Sequence, residues 1–121
     1  MLHVVKRDGR LTEFNSIKIT NAIKKASIEI GYELKESEIF QLTQRVIENI
    51  EDINTEKISV EEIQNMVEKV LLENQFMEVG LAYSNYRKER TKIREIKSEL
   101  MSAIEKIGVE TDRDNGVTSY C

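Results

Sequence analysis

Two cations stand side by side at Lys6-Arg7, directly before Asp8-Gly9, and a third, Lys18, follows at a distance that a short strand and the start of a helix would span. Together these residue types suit a polyphosphate. Arginine grips oxygens as a planar fork and lysine supplies a compact charge. Glycine lets backbone come close to a ligand. A helix beginning just past Asn15 or Ser16 would add free N–H groups that favour an anion, with Lys18 one turn inside it. The same residues equally suit a solvated basic hairpin tip. The sequence offers no nucleophile–base pair, no Walker-type loop and no cluster of metal ligands, so no catalytic residue and no metal ligand is assigned. The lone His3 reads as a frayed terminus. The single cysteine, Cys121, can make neither an internal disulfide nor a Cys-rich zinc site.

The elements that would position this cluster follow from local pattern. Val4 and Val5 are β-branched and fit a strand. Asp8-Gly9 is a hairpin signal, since both residues tolerate positive φ in a two-residue turn, and Leu11 to Phe14 returns as the second strand. Ile19, Ala22, Ile23, Ala26 and Ile30 then recur at helical spacing, and Gly31 ends that helix. Ile39, Leu42, Val46, Ile50 and Ile53 give a second stripe, starting near Ser37. Residues 52–57 read as a polar connector. Ser59 and Glu62 form a capping box ahead of Val60, Ile63, Met66, Val67, Val70 and Leu71. A break over 74–79 precedes a long helix from about Gly80. Tyr86, Ile93, Leu100 and Ile107 fall seven apart there, with Ile96 and Ala103 between, as in a seam for another helix. The charges around that seam, from Arg87 to Glu95, are expected mostly on solvated faces. Met66 and Met77 are expected to fill gaps in the core, and Tyr83 and Tyr86 to pack.

Composition bounds the rest. A chain of 121 residues suits one domain, and 40% hydrophobic with 33% charged residues is ordinary for a soluble fold. The absence of proline and the five glycines favour helices over a turn-rich β-sandwich. The fold class predicted is therefore mainly α with a small N-terminal β-hairpin. A net charge of -4 argues against a nucleic-acid partner while leaving room for a local cationic pocket. No apolar run approaches membrane-spanning length, and no signal-peptide core is present, which predicts a cytoplasmic protein without a membrane partner.

Val4-Val5-Lys6-Arg7-Asp8-Gly9, followed by Phe14-Asn15 and Lys18-Ile19, resembles the opening motif of the ATP-cone family. Ser59-Val60-Glu61-Glu62-Ile63-Gln64 and Ala82-Tyr83 with Tyr86-Arg87 are similar to that family's later motifs, in its order, over residues 4–94. Arg87-Lys88-Glu89-Arg90 and Glu110-Thr111-Asp112-Arg113-Asp114-Asn115 resemble the passage from cone to catalytic barrel in anaerobic ribonucleoside-triphosphate reductases, whereas residues 116–121 do not look like that family's continuation.

The resemblance implies a hairpin packed on a four-helix bundle with a long last helix. It implies an allosteric module that binds ATP or dATP, with Mg2+, and tunes a reductase without catalysis of its own. By position, Lys6, Arg7, Lys18 and Lys88 would hold phosphates. Val5, Phe14, Ile19 and Ile63 would wall the adenine, and Asn15 and Gln64 would reach base or sugar. The four apolar residues suit an ordinary core equally, and Gln64 suits a solvated helix face. The domain division expected is a cone over 1–94, a helical extension over 95–108 towards a catalytic domain, and a flexible tail over 109–121, with Cys121 an inert tail thiol. Partners expected are an adenine nucleotide, the reductase catalytic domain, and a second copy through the last helix. Two other functions fit less of the sequence. One is a helical interaction or dimerisation domain without nucleotide binding. The other is the cone of a transcriptional repressor of reductase genes, which would need a cysteine-rich zinc ribbon before it.

Overall fold

A computed structural model of the chain describes residues 1–108 and 119–121. In chain order its elements are β1 (His3–Val5), β2 (Leu11–Glu13), α1 (Ile17–Glu29), α2 (Glu36–Ile53), β3 (Lys57–Ser59), α3 (Val60–Glu73) and α4 (Met77–Lys106). The described residues are thus mainly helical, with a small sheet at the N-terminal end, as the sequence predicts.

The sheet has one strand more than the hairpin expected. β1 pairs antiparallel with β2 and, on its other side, parallel with β3, in the order β2-β1-β3. Lys57, read as the end of a connector, lies in β3. His3 is no frayed terminus: its N–H donates to the Glu56 carbonyl at 2.8 Å, and it sits opposite both Glu13 and Lys57. The turn also differs from a two-residue one. The Gly9 N–H donates to the Lys6 carbonyl at 2.9 Å and the Lys6 N–H to the Arg10 carbonyl at 2.8 Å, so Arg7, Asp8 and Gly9 form a three-residue loop. Only Gly9, at φ 88°, takes the left-handed conformation in this loop. Asp8 fastens it by accepting from the Arg10 N–H at 3.1 Å and from Arg10 Nε at 2.7 Å. The backbone donor of Arg10 leads in holding the Asp8 carboxyl below the usual carboxylate range.

The helical stripes become one core. Ile19, Ala22, Ile23 and Ala26 of α1, Leu42, Val46 and Ile50 of α2, and Val60, Ile63, Val67, Val70 and Leu71 of α3 join Val4, Ile58, Val79 and Tyr83 in a single buried cluster. Each fully buried large aliphatic side chain contributes roughly 1.5–3 kcal/mol. Ile30 and Ile53, placed on the stripes by spacing, are exposed because α1 stops at Glu29 and α2 ends at Ile53. Asn54 closes α2 at φ 54°. The Ser59–Glu62 box forms in both directions, Glu62 N–H to Ser59 Oγ at 3.1 Å and Ser59 N–H to Glu62 Oε2 at 2.9 Å.

The last helix starts at Met77, before Gly80. Val79 and Gly80 are buried inside it, and a Cβ at Gly80 would lie 2.9 Å from Leu72 Cδ2, so this glycine lets α3 and α4 approach closely. Met77 is exposed rather than core, whereas Met66 and Tyr86 pack against the core as expected. Beyond Arg94 no residue of α4 is buried, and Ile96, Leu100 and Ile107 are exposed, as is Ile93 just before. The tail expected over 109–118 lies outside the described residues. Residues 119–121 do not behave as a free tail: they pack on the core, because Tyr120 carries an aromatic ring that finds an apolar partner in Phe14.

Candidate functional site

The sheet fixes the place of the basic cluster. β1 delivers Lys6 and Arg7 to the loop, β3 leads straight into the N-terminus of α3, and β2 leads through Phe14-Asn15 into α1. Asn15 Oδ1 accepts from the Ile17 N–H at 3.0 Å and so organises the first turn of α1, whereas Ser16 makes no side-chain cap. Lys18, one turn in, is half-buried.

Arg7 does not project freely. Its Nε pairs with Glu61 Oε1 at 3.0 Å, tying the loop to the first turn of α3. Glu61 also accepts through its backbone carbonyl from Arg87 Nη2 at 3.4 Å. Arg87 Nη1 further donates to Asn65 Oδ1 at 2.8 Å and to Glu68 Oε1 at 3.1 Å, clamping α4 on α3. Tyr83, Arg87, Arg90 and Arg94 recur every three or four residues and so share one face of α4. Burial, followed by the neighbouring Arg7 and Arg90 charges, holds the Arg94 guanidinium below its ordinary value. Arginines from the loop and from α4 therefore gather on one side of the sheet end. The expectation that the α4 charges are solvated fails for Arg87, Arg90 and Arg94, which are half-buried, and holds for Lys88, Glu89, Lys92 and Glu95.

The remaining candidates divide. Val5 and Phe14 are half-buried, and each keeps a face accessible. Ile19 and Ile63 are wholly buried in the common core. Gln64, for which a solvated helix face was one reading, is only 1% exposed. Its Nε2 has no hydrogen-bond partner among the described residues, an unusual condition for a buried amide. Lys88 is exposed on α4. The register places Lys6 and Arg7 at the hairpin end of the sheet, beside the start of α3, and Phe14 and Asn15 at its other end, beside Leu2, where α1 and Lys18 begin.

Sequence reasoning missed Arg90 and Arg94, whose only signal was their spacing from Tyr83 and Arg87. It also missed residues 119–121. The Tyr120 ring stacks on Phe14 with centroids 6.2 Å apart and planes at 19°. Lys18 Nζ stands 5.6 Å from the centre of the same ring. The Asn15 N–H donates to the Tyr120 hydroxyl at 3.1 Å. Burial pushes up both the Tyr120 phenol and the Cys121 thiol. Among the described residues no group of three or more His, Cys, Asp or Glu could hold a metal ion, and no helix is long and apolar enough to cross a membrane.

Comparison with known proteins covers most of this stretch of the chain. The ATP cone domain family matches residues 2–92. An anaerobic ribonucleoside-triphosphate reductase of Haemophilus influenzae is 37% identical over 102 residues, covering 84% of this chain and 14% of the relative. A vitamin B12-dependent ribonucleoside-diphosphate reductase of Thermoplasma acidophilum is 42% identical over 104 residues, covering 81% of this chain and 13% of the relative. The alpha subunit of a ribonucleoside-diphosphate reductase of Chlamydia pneumoniae is 34% identical over 101 residues, covering 78% and 10%. The chain thus spans at most 14% of the length of these relatives. The helical bundle, the small sheet at its head and the matched span 2–92 agree: the chain belongs to the ATP-cone domain family.

Proposed function

We propose that this cone binds ATP or dATP, with Mg2+ on the triphosphate, and through that binding sets the overall activity of a ribonucleotide reductase of the anaerobic ribonucleoside-triphosphate type. The observation that carries the reading is the gathering of the loop arginine Arg7, next to Lys6, with the α4 arginines, while residues 119–121 touch Phe14, Asn15 and Lys18 on one side and lie within reach of the Arg7 and Arg90 charges on the other. In this arrangement Lys6, Arg7, Lys18 and Lys88 take the phosphates. Val5 and Phe14 offer an apolar wall backed by Ile19 and Ile63, and Asn15 and Gln64 supply polar contacts to base or sugar. The cone itself performs no chemistry; a cytoplasmic reductase catalytic domain, reached through the stretch of α4 past Arg94, is its partner. The anaerobic assignment is supported by the likeness to the Haemophilus influenzae protein and by the charged Arg87-Lys88-Glu89-Arg90 stretch.

The test is calorimetric titration of the chain with ATP, dATP, GTP and CTP, repeated on Lys6→Ala and Arg7→Ala. Each charge-assisted contact is worth about 1.5–3 kcal/mol. Losing one should loosen ATP binding roughly ten- to a hundredfold, with GTP and CTP weaker than ATP throughout. Unchanged affinity in both variants would overturn the assignment.

A further inference from the structure

Residues 119–121 stand on the residues assigned to the nucleotide. Tyr120 is 3% exposed, and its ring stacks on Phe14 with the Lys18 ammonium 5.6 Å from the ring centre. Its hydroxyl accepts from the Asn15 N–H at 3.1 Å, and its own N–H donates to the Lys18 carbonyl at 3.2 Å. Its carbonyl accepts from the buried Tyr83 hydroxyl at 2.7 Å, and Lys25 Nζ donates to Ser119 Oγ at 3.2 Å. A flat ring stacked on an aromatic wall, faced by a cation and met at its edge by a backbone donor is what a purine base would also find there.

We propose that residues 119–121 are a built-in occupant of the candidate nucleotide pocket. The Tyr120 ring takes the place of a nucleotide base, so that docking of this segment and binding of an adenine nucleotide exclude one another. The inference rests on the nucleotide-binding reading above and adds a regulator to it. A pocket that is open only part of the time binds its ligand more weakly in proportion to the closed fraction. The nucleotide must displace hydrogen bonds to Asn15, Lys18 and Tyr83 together with a ring stack. Its apparent affinity is therefore lower than that of the unblocked pocket.

Two measurements on the whole chain test this. The first is ATP affinity by calorimetry for the native chain, Tyr120→Phe and Tyr120→Ala. Removing the ring should tighten binding about five- to fiftyfold, and Tyr120→Phe, which keeps the stack but loses the Asn15 contact, should fall between. The second is the rate at which an aromatic disulfide reagent labels Cys121, the chain's single cysteine. Because Cys121 is buried beside Tyr120, saturating ATP should speed labelling of the native chain by at least fivefold. Both changes are required. ATP bound equally by all three chains, or labelling indifferent to bound ATP, overturns the inference and leaves the nucleotide-binding reading standing. Failure of the native chain and of Tyr120→Ala to bind ATP overturns both.

Discussion

Gln64 offers a test in which stability and binding should move in opposite directions. Its side chain is 1% exposed on α3, beside the fully buried Ile63, and its Nε2 lacks a partner among the described residues. A buried amide donor left unpaired costs about 1–3 kcal/mol. Gln64→Met keeps the length of the side chain and removes the polar atoms, so that cost disappears while the volume is nearly conserved. The expected result is a chain more stable by about 1–2 kcal/mol, since lost contacts of the amide oxygen offset part of the gain. For a chain of this size the midpoint of thermal unfolding should rise roughly 3–6 °C per kcal/mol. If the orphan donor serves a nucleotide, ATP affinity should fall by about three- to tenfold in the same variant, the worth of one neutral hydrogen bond. Circular dichroism melts with and without ATP, and calorimetry on the same samples, read both quantities. A Gln64→Met chain less stable than the native one by more than about 1 kcal/mol would refute the claim that the donor is uncompensated. A stabilised variant with unchanged ATP affinity would refute the ligand contact alone.

Two further expectations concern the parts of the chain beyond the cone's core. Alkaline pH should release residues 119–121. Burial raises the Cys121 thiol, offset in part by the Ser119 hydrogen bond and the Lys25, Arg7 and Arg90 charges, and raises the Tyr120 phenol against the Asn15 N–H. Both groups stay protonated longer when docked than when free. Docking is therefore at full strength below the ordinary thiol value of about 8.5 and weakens as pH climbs through the raised values. Near-ultraviolet circular dichroism should change in that range before the far-ultraviolet signal does, and a Cys121→Ser chain should begin to change at higher pH; coincident changes in the two spectra would count against it. The exposed Ile93, Ile96 and Leu100 of α4, with Ile107 just past its end, should make mass depend on protein concentration in light scattering. ATP or dATP should shift that dependence several-fold to a hundredfold, with Lys88→Ala bringing the curves together; three superimposable curves without nucleotide, with ATP and with dATP would refute the link.

Much of the fold was legible because helices repeat their signal. Ile39, Leu42, Val46 and Ile50 each state the same face, and the Ser59–Glu62 box marks a helix start by a local hydrogen-bond pair. β3 was illegible for the opposite reason. It is three residues long, buries only Ile58, and exists because β1 offers it a parallel edge. The turn at Asp8-Gly9 was placed correctly but counted short, since the Asp8–Arg10 contacts select a three-residue loop that composition alone does not distinguish. Lys6, Asn15 and Lys18 could be put forward as candidates from the sequence because they lie close together along it. The half-buried Arg90 and Arg94 were not, since their burial depends on how α4 packs. Tyr120 gave no periodic signal, being one aromatic residue whose partners are Phe14, Lys18 and Tyr83 from far along the chain.

Glu61 links these parts. Its carboxylate holds Arg7, and its carbonyl receives Arg87, so one residue at the N-terminus of α3 touches both the loop and α4. The Arg7–Glu61 pair is solvent-accessible on both sides, with side chains 29% and 51% exposed, and such pairs contribute only about 0–1 kcal/mol. A triphosphate gripping the same guanidinium with charge-assisted bonds of about 1.5–3 kcal/mol each would win that competition. Arg87 is held differently. It has hydrogen bonds to Asn65, Glu68 and the Glu61 carbonyl, so freeing the Glu61 carboxylate leaves the α3–α4 clamp closed. On the proposed reading, then, a bound nucleotide moves the loop against a fixed helix pair rather than prising the helices apart. What reaches the outer half of α4 then starts from Lys88, proposed for the phosphates, and from Arg94, whose repulsion with Arg7 and Arg90 an anion would relieve. Nucleotide can bias anything docked on α4 only by as much as its affinity differs between the docked and undocked states.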